Sequence, residues 1–229
     1  MEDFLSFYPL VSILLALVWL LLFLRQEEVR KEMLILGVFS LFILPTTILV
    51  LSRAEDVTNS LANFTLFDLL FAFTVAGIAG AVYHNFFGKH YHLLSAPKSR
   101  KQSADVQLYL LRMFIIILLF VWAVVFLTYF FAISTALAML ITASCLGIYI
   151  VVHRKDLLRD TIWSGVLTTI VVFIAGTLVS TISGATLDVS LVESSKMIGS
   201  VPLDLLLWSL ALGLAAGPLY EYTRHIELK

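Results

Sequence analysis

The chain has 229 residues, of which 60% are hydrophobic and only 14% are charged, and its formal net charge is −1. Soluble domains carry about 45–50% apolar and about 25% charged residues, so this composition excludes an ordinary soluble globular protein. The near-zero charge gives no basis for binding nucleic acid, and the single cysteine, Cys145, excludes an intramolecular disulfide. We therefore expect an all-α membrane protein whose main surroundings are the lipid bilayer.

Seven stretches are long and apolar enough to be membrane-spanning helices, which need about 20 predominantly apolar residues. The uncharged stretch 113–152 is too long for one span, so we predict a tight turn at Ala132, Ile133 and Ser134. The predicted spans are about 7–24, 33–51, 65–87, 108–132, 134–152, 161–182 and 201–220.

Lysine and arginine are distributed unevenly between the predicted loops. If the N-terminus lies outside, only Arg53 and Lys196 fall in outer loops, whereas most other basic residues fall in inner loops or in the C-terminal tail. Cytoplasmic loops carry an excess of Lys and Arg. The bias therefore predicts a multi-pass protein of the cell membrane with its N-terminus outside and its C-terminus in the cytoplasm.

Two segments near the starts of the third and seventh spans resemble each other. Asp68 and Asp204 each precede Leu-Leu and an apolar residue, and each is followed by a patch of small residues, at 77–80 and 213–217. An ionisable residue inside a membrane segment is costly to keep, so it is a functional hypothesis by default. Both acids would also suit the first turn of a helix, where free amides and the helix dipole stabilise them.

The resemblance extends to the first two helices of each half, because Arg25 and Arg30 after the first span match Arg154 and Arg159 after the fifth. We therefore predict one domain made of two parallel three-helix repeats and a linker helix, a 3+1+3 arrangement. The domain covers residues 1–229, with repeats at about 5–88 and 134–222 and the linker at about 108–132. If the repeats bring Asp68 and Asp204 to one apolar pocket, one carboxyl group keeps its proton, which gives an acid and base pair.

The opposite ends of the third and seventh spans carry a second set of polar residues: Tyr83, His84, Asn85, Tyr220, Glu221 and Tyr222. An aromatic belt at the membrane interface explains these residues, and Glu221 could in addition pair with Arg112.

Three histidines, His84, His90 and His92, lie near the third inner loop. Their spacing fits no pair of metal ligands on a helix, so we expect a solvated loop, no metal site and no cofactor.

The acid motifs and the seven-span plan resemble the lycopene cyclase domain family, which consists of small integral-membrane proteins. In that family the motif reads Pro-x-Glu followed by apolar and aromatic residues, and here it reads Pro202-Leu203-Asp204-Leu205-Leu206-Leu207-Trp208. The first unit, Leu66-Phe67-Asp68-Leu69-Leu70-Phe71, lacks the proline, and Asp replaces Glu in both.

The resemblance implies an acid-initiated, redox-neutral ring closure of a hydrophobic isoprenoid such as lycopene, without a cofactor. Asp204 would be the acid and Asp68 its partner or the base. The aromatic faces of Phe71, Phe73 or Trp208 could stabilise the carbocation in the substrate site. A small-solute transporter with the 3+1+3 plan of the SWEET carriers is the alternative, although the Pro-Gln signature of that family is missing. A third interpretation is a non-catalytic relative of the cyclase fold.

Overall fold

The computed structural model describes residues 7–25, 27–42, 66–87, 91–93, 102–183, 196–224 and 226–228, and these residues are almost entirely helical. The helices are α1 (Phe7–Arg25), α2 (Arg30–Ser40), α3 (Leu66–Phe87), α4 (Gln102–Phe131), α5 (Thr135–His153), α6 (Leu158–Ser183), α7 (Leu203–Ala216) and α8 (Leu219–Arg224). Two short antiparallel ladders join β1 (Tyr91–Leu93) to β4 (Ile226–Leu228) and β2 (Met197–Ile198) to β3 (Val201–Pro202).

Six segments of the described chain are long and apolar enough to cross a membrane: Phe7–Arg25, Leu66–Phe87, Leu108–Phe131, Thr135–His153, Lys155–Ile182 and Leu203–Thr223. Large apolar side chains point outward from them; Trp122 and Phe130 of α4, for example, are 63% and 77% exposed. The chain is therefore a multi-pass membrane protein of the predicted all-helical class. The predicted second span, 33–51, is described only up to Phe42, and the rest of it lies outside the described residues.

The observed helix ends agree with the sequence at two places and differ at a third. Helix α1 covers the predicted first span, and Ala132, with a φ of 52°, lies in the predicted turn between α4 and α5. The last predicted span is divided, because α7 ends at Ala216 and α8 begins at Leu219. Pro218 lies between them and has no amide hydrogen to continue the helical hydrogen bonds.

Helix α3 packs against α1 and α2, and α7 packs against α5 and α6. Helices α3 and α7 also touch each other and run in the same direction. Phe71 near the start of α3 contacts Trp208 near the start of α7, whereas His84 near the end of α3 contacts Glu221, which follows α7. The first turns of α3 and α7, with Asp68 and Asp204, therefore lie at one end of the bundle, and His84 and Glu221 lie at the other.

The two small-residue patches are points of close helix approach. A Cβ atom at Gly77 of α3 would lie 3.0 Å from the Met33 carbonyl oxygen of α2. A Cβ atom at Gly213 of α7 would lie 2.6 Å from both the Gly165 Cα and the Ser164 carbonyl oxygen of α6. Small residues let membrane helices approach closely and gain packing energy. The patches are therefore points of close helix packing, between α3 and both α1 and α2 at Gly77 and between α7 and α6 at Gly213.

Candidate functional site

Asp68 and Asp204 each lie in the first turn of a helix, α3 and α7 respectively, and both are half-buried. The first amides of a helix have no partner within the helix, so a carboxylate in the first turn is in a favourable position. The two acids therefore lie where the sequence analysis expects free amides and the helix dipole to stabilise a carboxylate. Such a position is compatible with a chemical role for both acids as well.

Aromatic side chains connect the two first turns. The rings of Tyr8 and Phe71 lie 5.3 Å apart, and the rings of Phe71 and Trp208 are also 5.3 Å apart. The Tyr8 hydroxyl is hydrogen-bonded to Asp68. Trp208 follows Asp204 by one helical turn. We call Tyr8, Asp68, Phe71, Asp204 and Trp208 the acid–aromatic row.

Phe73, which the sequence groups with Phe71 and Trp208, lies on another side of α3. Its ring is 5.3 Å from that of Trp19 in α1, and it covers Gly37 of α2. The structure thus brings Phe71 and Trp208 together and leaves Phe73 outside the acid–aromatic row.

An apolar cavity of about 30 Å³ lies among the helices, where Leu36, Ala76, Phe120 and Leu212 are part of its lining. A cavity of this size holds no more than about two waters. A long isoprenoid does not fit in this cavity.

A second group of ionisable residues lies at the other end of the bundle, and four helices contribute to it. Glu32 is in the first turn of α2, His84 is in the last turn of α3, Asp160 is in the first turn of α6, and Glu221 is in α8. None of the four is more than 1% exposed. We call these four residues the buried centre.

The side chains of the buried centre are close enough to act together. The Nε2 atom of His84 lies 2.7 Å from the Oε1 atom of Glu221. Ligand atoms of Glu32, His84 and Glu221 all lie within 4.8 Å of one another. Asp160 accepts a hydrogen bond of 3.0 Å from the Ser164 hydroxyl and interacts electrostatically with both His84 and Glu221.

Three backbone features make room for the buried centre. Gly80 lies against the carboxylate of Glu32, so a Cβ atom there would be only 3.0 Å from Oε1. Gly217 lies against the Ser164 hydroxyl in the same way, at 2.7 Å. The interruption at Pro218 ends α7 and starts the short helix that carries Glu221.

The prediction of an aromatic belt at this end of the bundle is wrong for four of its six members, while Asn85 and Tyr222 are half-buried. Tyr83, His84, Tyr220 and Glu221 are between 0% and 4% exposed, because α2 and α6 pack over the end of α3 and cover it. Glu221 pairs with His84, and Arg112 lies near Tyr222.

Of the three histidines considered as a cluster, only His84 has a described side chain; His90 lies outside the described residues, and only the backbone of His92 is described. The sequence missed Glu32 and Asp160 entirely. The repeat in the sequence could have indicated them. Glu32 follows Arg30 and Asp160 follows Arg159, and these two arginines lie at matching positions, at the start of the second helix of each half.

Comparison of the chain with protein-family models, with curated proteins and with solved structures gave no match.

Proposed function

We propose that the chain is a membrane-bound isoprenoid cyclase of the lycopene cyclase type, which closes a ring by acid-initiated, redox-neutral chemistry. The observation that carries this proposal is the acid–aromatic row. Tyr8, Phe71 and Trp208 form a continuous aromatic contact from Asp68 to the helical turn that begins with Asp204. An acid, a base and aromatic faces are the groups that such a reaction needs.

In the proposed reaction, the carboxylic acid of Asp204 donates a proton to a terminal double bond of a linear isoprenoid. A neighbouring double bond attacks the resulting carbocation and closes a six-membered ring. The carboxylate of Asp68 then accepts a proton from the ring, so that substrate and product are isomers and no electrons are exchanged. The π faces of Phe71 and Trp208 stabilise the cation between these two steps.

The 3+1+3 arrangement and the orientation in the cell membrane, with the N-terminus outside, are part of this proposal. The equivalent packing of α3 on α1 and α2 and of α7 on α5 and α6 supports two repeats. Gly77 and Gly213 support them as well, because both lie where their helix closely approaches a neighbouring helix and their spacing equals that of Asp68 and Asp204.

Expression in a host that accumulates lycopene tests the proposed activity. We expect cyclic pigments in the extracted carotenoids, and their loss in Asp204→Asn and Asp68→Asn. Glu27→Gln is the matched control, since this acid is exposed and lies at the other end of α1. Unchanged lycopene at normal membrane expression would overturn the proposal and favour a non-catalytic relative of the fold.

A proton-coupled transporter of small solutes is the second candidate, and the buried centre favours it. Ionisable residues that are buried in membrane helices are common in proton pathways. Purified protein in liposomes that enclose a pH-sensitive dye provides the test. A transporter would acidify the lumen when a neutral sugar is added outside, and His84→Gln would stop the acidification. The absence of a signal over a panel of sugars would count against transport.

A further inference from the structure

We propose that Glu32, His84 and Glu221 form a binding site for one divalent transition-metal cation of the zinc class, with Asp160 beside it. The three residues come from three helices, and their ligand atoms lie within 4.8 Å of one another. Imidazole nitrogen and carboxylate oxygen are the usual protein ligands of Zn²⁺ besides thiolate. Nothing in the acid–aromatic row is needed for this site.

Two carboxylate oxygens of the buried centre are available to coordinate a cation. Glu221 Oε2 and Asp160 Oδ2 have no hydrogen-bond partner among the described residues, although Glu221 is 0% exposed and Asp160 is 1% exposed. Buried acceptors of this kind are rare unless a ligand, an ion or a water satisfies them. A cation bound by Glu221 would satisfy its second oxygen.

The charge of the buried centre argues in the same direction. Three carboxyl groups and one imidazole are enclosed between apolar helices, where an ionised group is costly unless it is paired. A proton on His84 would offset only one carboxylate. A divalent cation would offset two, and it would leave the imidazole neutral with a lone pair for coordination.

The donor set also selects the class of metal. Imidazole suits zinc, copper, iron and nickel, whereas magnesium and calcium prefer sites made of oxygen alone. Zinc–ligand distances are about 2.0–2.2 Å, so ligand atoms of one tetrahedral site lie roughly 3.4 Å apart. The His84–Glu221 pair, now 2.7 Å apart, would open slightly, and the cation would replace the proton that the pair shares.

The proposed metal site is separate from the proposed cyclase chemistry. Asp68 and His84 are sixteen residues apart on one helix, which corresponds to about 24 Å. A cation at His84 therefore cannot touch a substrate that reacts at Asp68. The metal test and the cyclase test can fail independently.

Cobalt provides the direct test, because Co²⁺ occupies zinc sites and absorbs visible light. Full-length protein without a histidine tag is purified in detergent, stripped with a chelator and titrated with CoCl₂. We expect visible absorption that saturates at one Co²⁺ per chain and disappears when Zn²⁺ is added. A folded protein that shows no saturable absorption overturns the proposal without any variant.

Variants locate the site. Glu221→Gln and Glu32→Gln keep the size of each side chain, and the amide oxygen that Glu221→Gln introduces could still accept a hydrogen bond from His84. Each should weaken Co²⁺ binding by at least about tenfold. Glu27→Gln, which changes an exposed acid, and Asp204→Asn should bind as the unaltered protein does. Equal losses in the centre variants and in Glu27→Gln would mean surface binding and would overturn the site.

Discussion

His84 Nε2 lies 2.7 Å from Glu221 Oε1 although 137 positions separate the two residues, and neither side chain is more than 1% exposed. The contact ties the last turn of α3 to α8, which are parts of the two halves of the chain. Because both side chains are buried, replacing either one would deprive the other of this hydrogen bond, which is costly away from water.

Replacing only one member of this pair should destabilise the protein strongly. Loss of one partner of a buried ion pair costs about 3–5 kcal/mol, whereas replacing both with apolar residues costs less. We therefore expect His84→Leu to lower the midpoint of thermal unfolding in detergent. The double variant His84→Leu, Glu221→Leu should regain part of that loss.

Fluorescence-detected gel filtration after heating measures both effects. His153→Leu is the matched control, because His153 is exposed and its ring contacts Tyr149 of its own helix, with a hydrogen bond to the Tyr149 carbonyl oxygen. If the losses of His84→Leu and of Glu221→Leu simply add in the double variant, the two side chains are not coupled in the folded protein.

Gly213 should tolerate no side chain. An alanine Cβ at this position would lie 2.6 Å from backbone atoms of α6, which have no freedom to move aside alone. Overpacking of this kind costs about 1–3 kcal/mol, so we expect a lower unfolding midpoint for Gly213→Ala. Gly147→Ala is the comparison, since its Cβ would meet the end of the Thr161 side chain at 3.1 Å and the Leu214 carbonyl oxygen only at an ordinary contact distance of 3.6 Å. Equal stability of the two variants would contradict a tight contact between α6 and α7.

Much of the helical plan could be predicted because hydrophobic length is a local property. The first span, the end of the third at Phe87 and the turn at Ala132 follow from apolar runs and their interruptions. The division at Gly217 and Pro218 did not follow, since proline and glycine are common inside membrane helices and often leave them continuous.

The buried centre could not be predicted, because burial depends on contacts between distant segments. Glu32, His84, Asp160 and Glu221 lie near helix ends, where polar residues normally meet water. The packing of α2 and α6 against α3, and of α8 against α4, removes them from solvent. The acid–aromatic row was partly foreseen: the sequence proposed Phe71 and Trp208, whereas Tyr8 was missed because its contact with Asp68 joins two helices.

The proposed orientation predicts which loops are accessible from each side of the membrane. Cys145 is the only cysteine, so Cys145→Ser gives a background without thiols. In this background, Lys196→Cys should react with an impermeant maleimide in intact cells. Glu27→Cys should react only after the membrane is opened, because it follows the first span on the predicted inner side. The reverse pattern of labelling would show that the distribution of Lys and Arg predicts the wrong orientation of this protein in the membrane.

Tyr8→Phe is the sharpest test of the acid–aromatic row, because it removes one oxygen atom and leaves the ring contact with Phe71 in place. The lost hydrogen bond to the Asp68 carboxylate is of the charged kind, which contributes about 1.5–3 kcal/mol. If Asp68 needs this bond to hold its position in the reaction, cyclic pigment should fall by roughly tenfold or more.

Initial rates of pigment formation, normalised to the amount of protein in the membrane, would measure this loss. Tyr149→Phe serves as the control, since Tyr149 contacts Tyr222 at the opposite end of the bundle. A role of Tyr8 in stability alone would lower the amount of protein and leave the normalised rate unchanged. A normal rate for Tyr8→Phe together with an inactive Asp68→Asn would mean that Asp68 acts without the tyrosine, and the acid–aromatic row would then be reduced to its two acids and the Phe71–Trp208 contact.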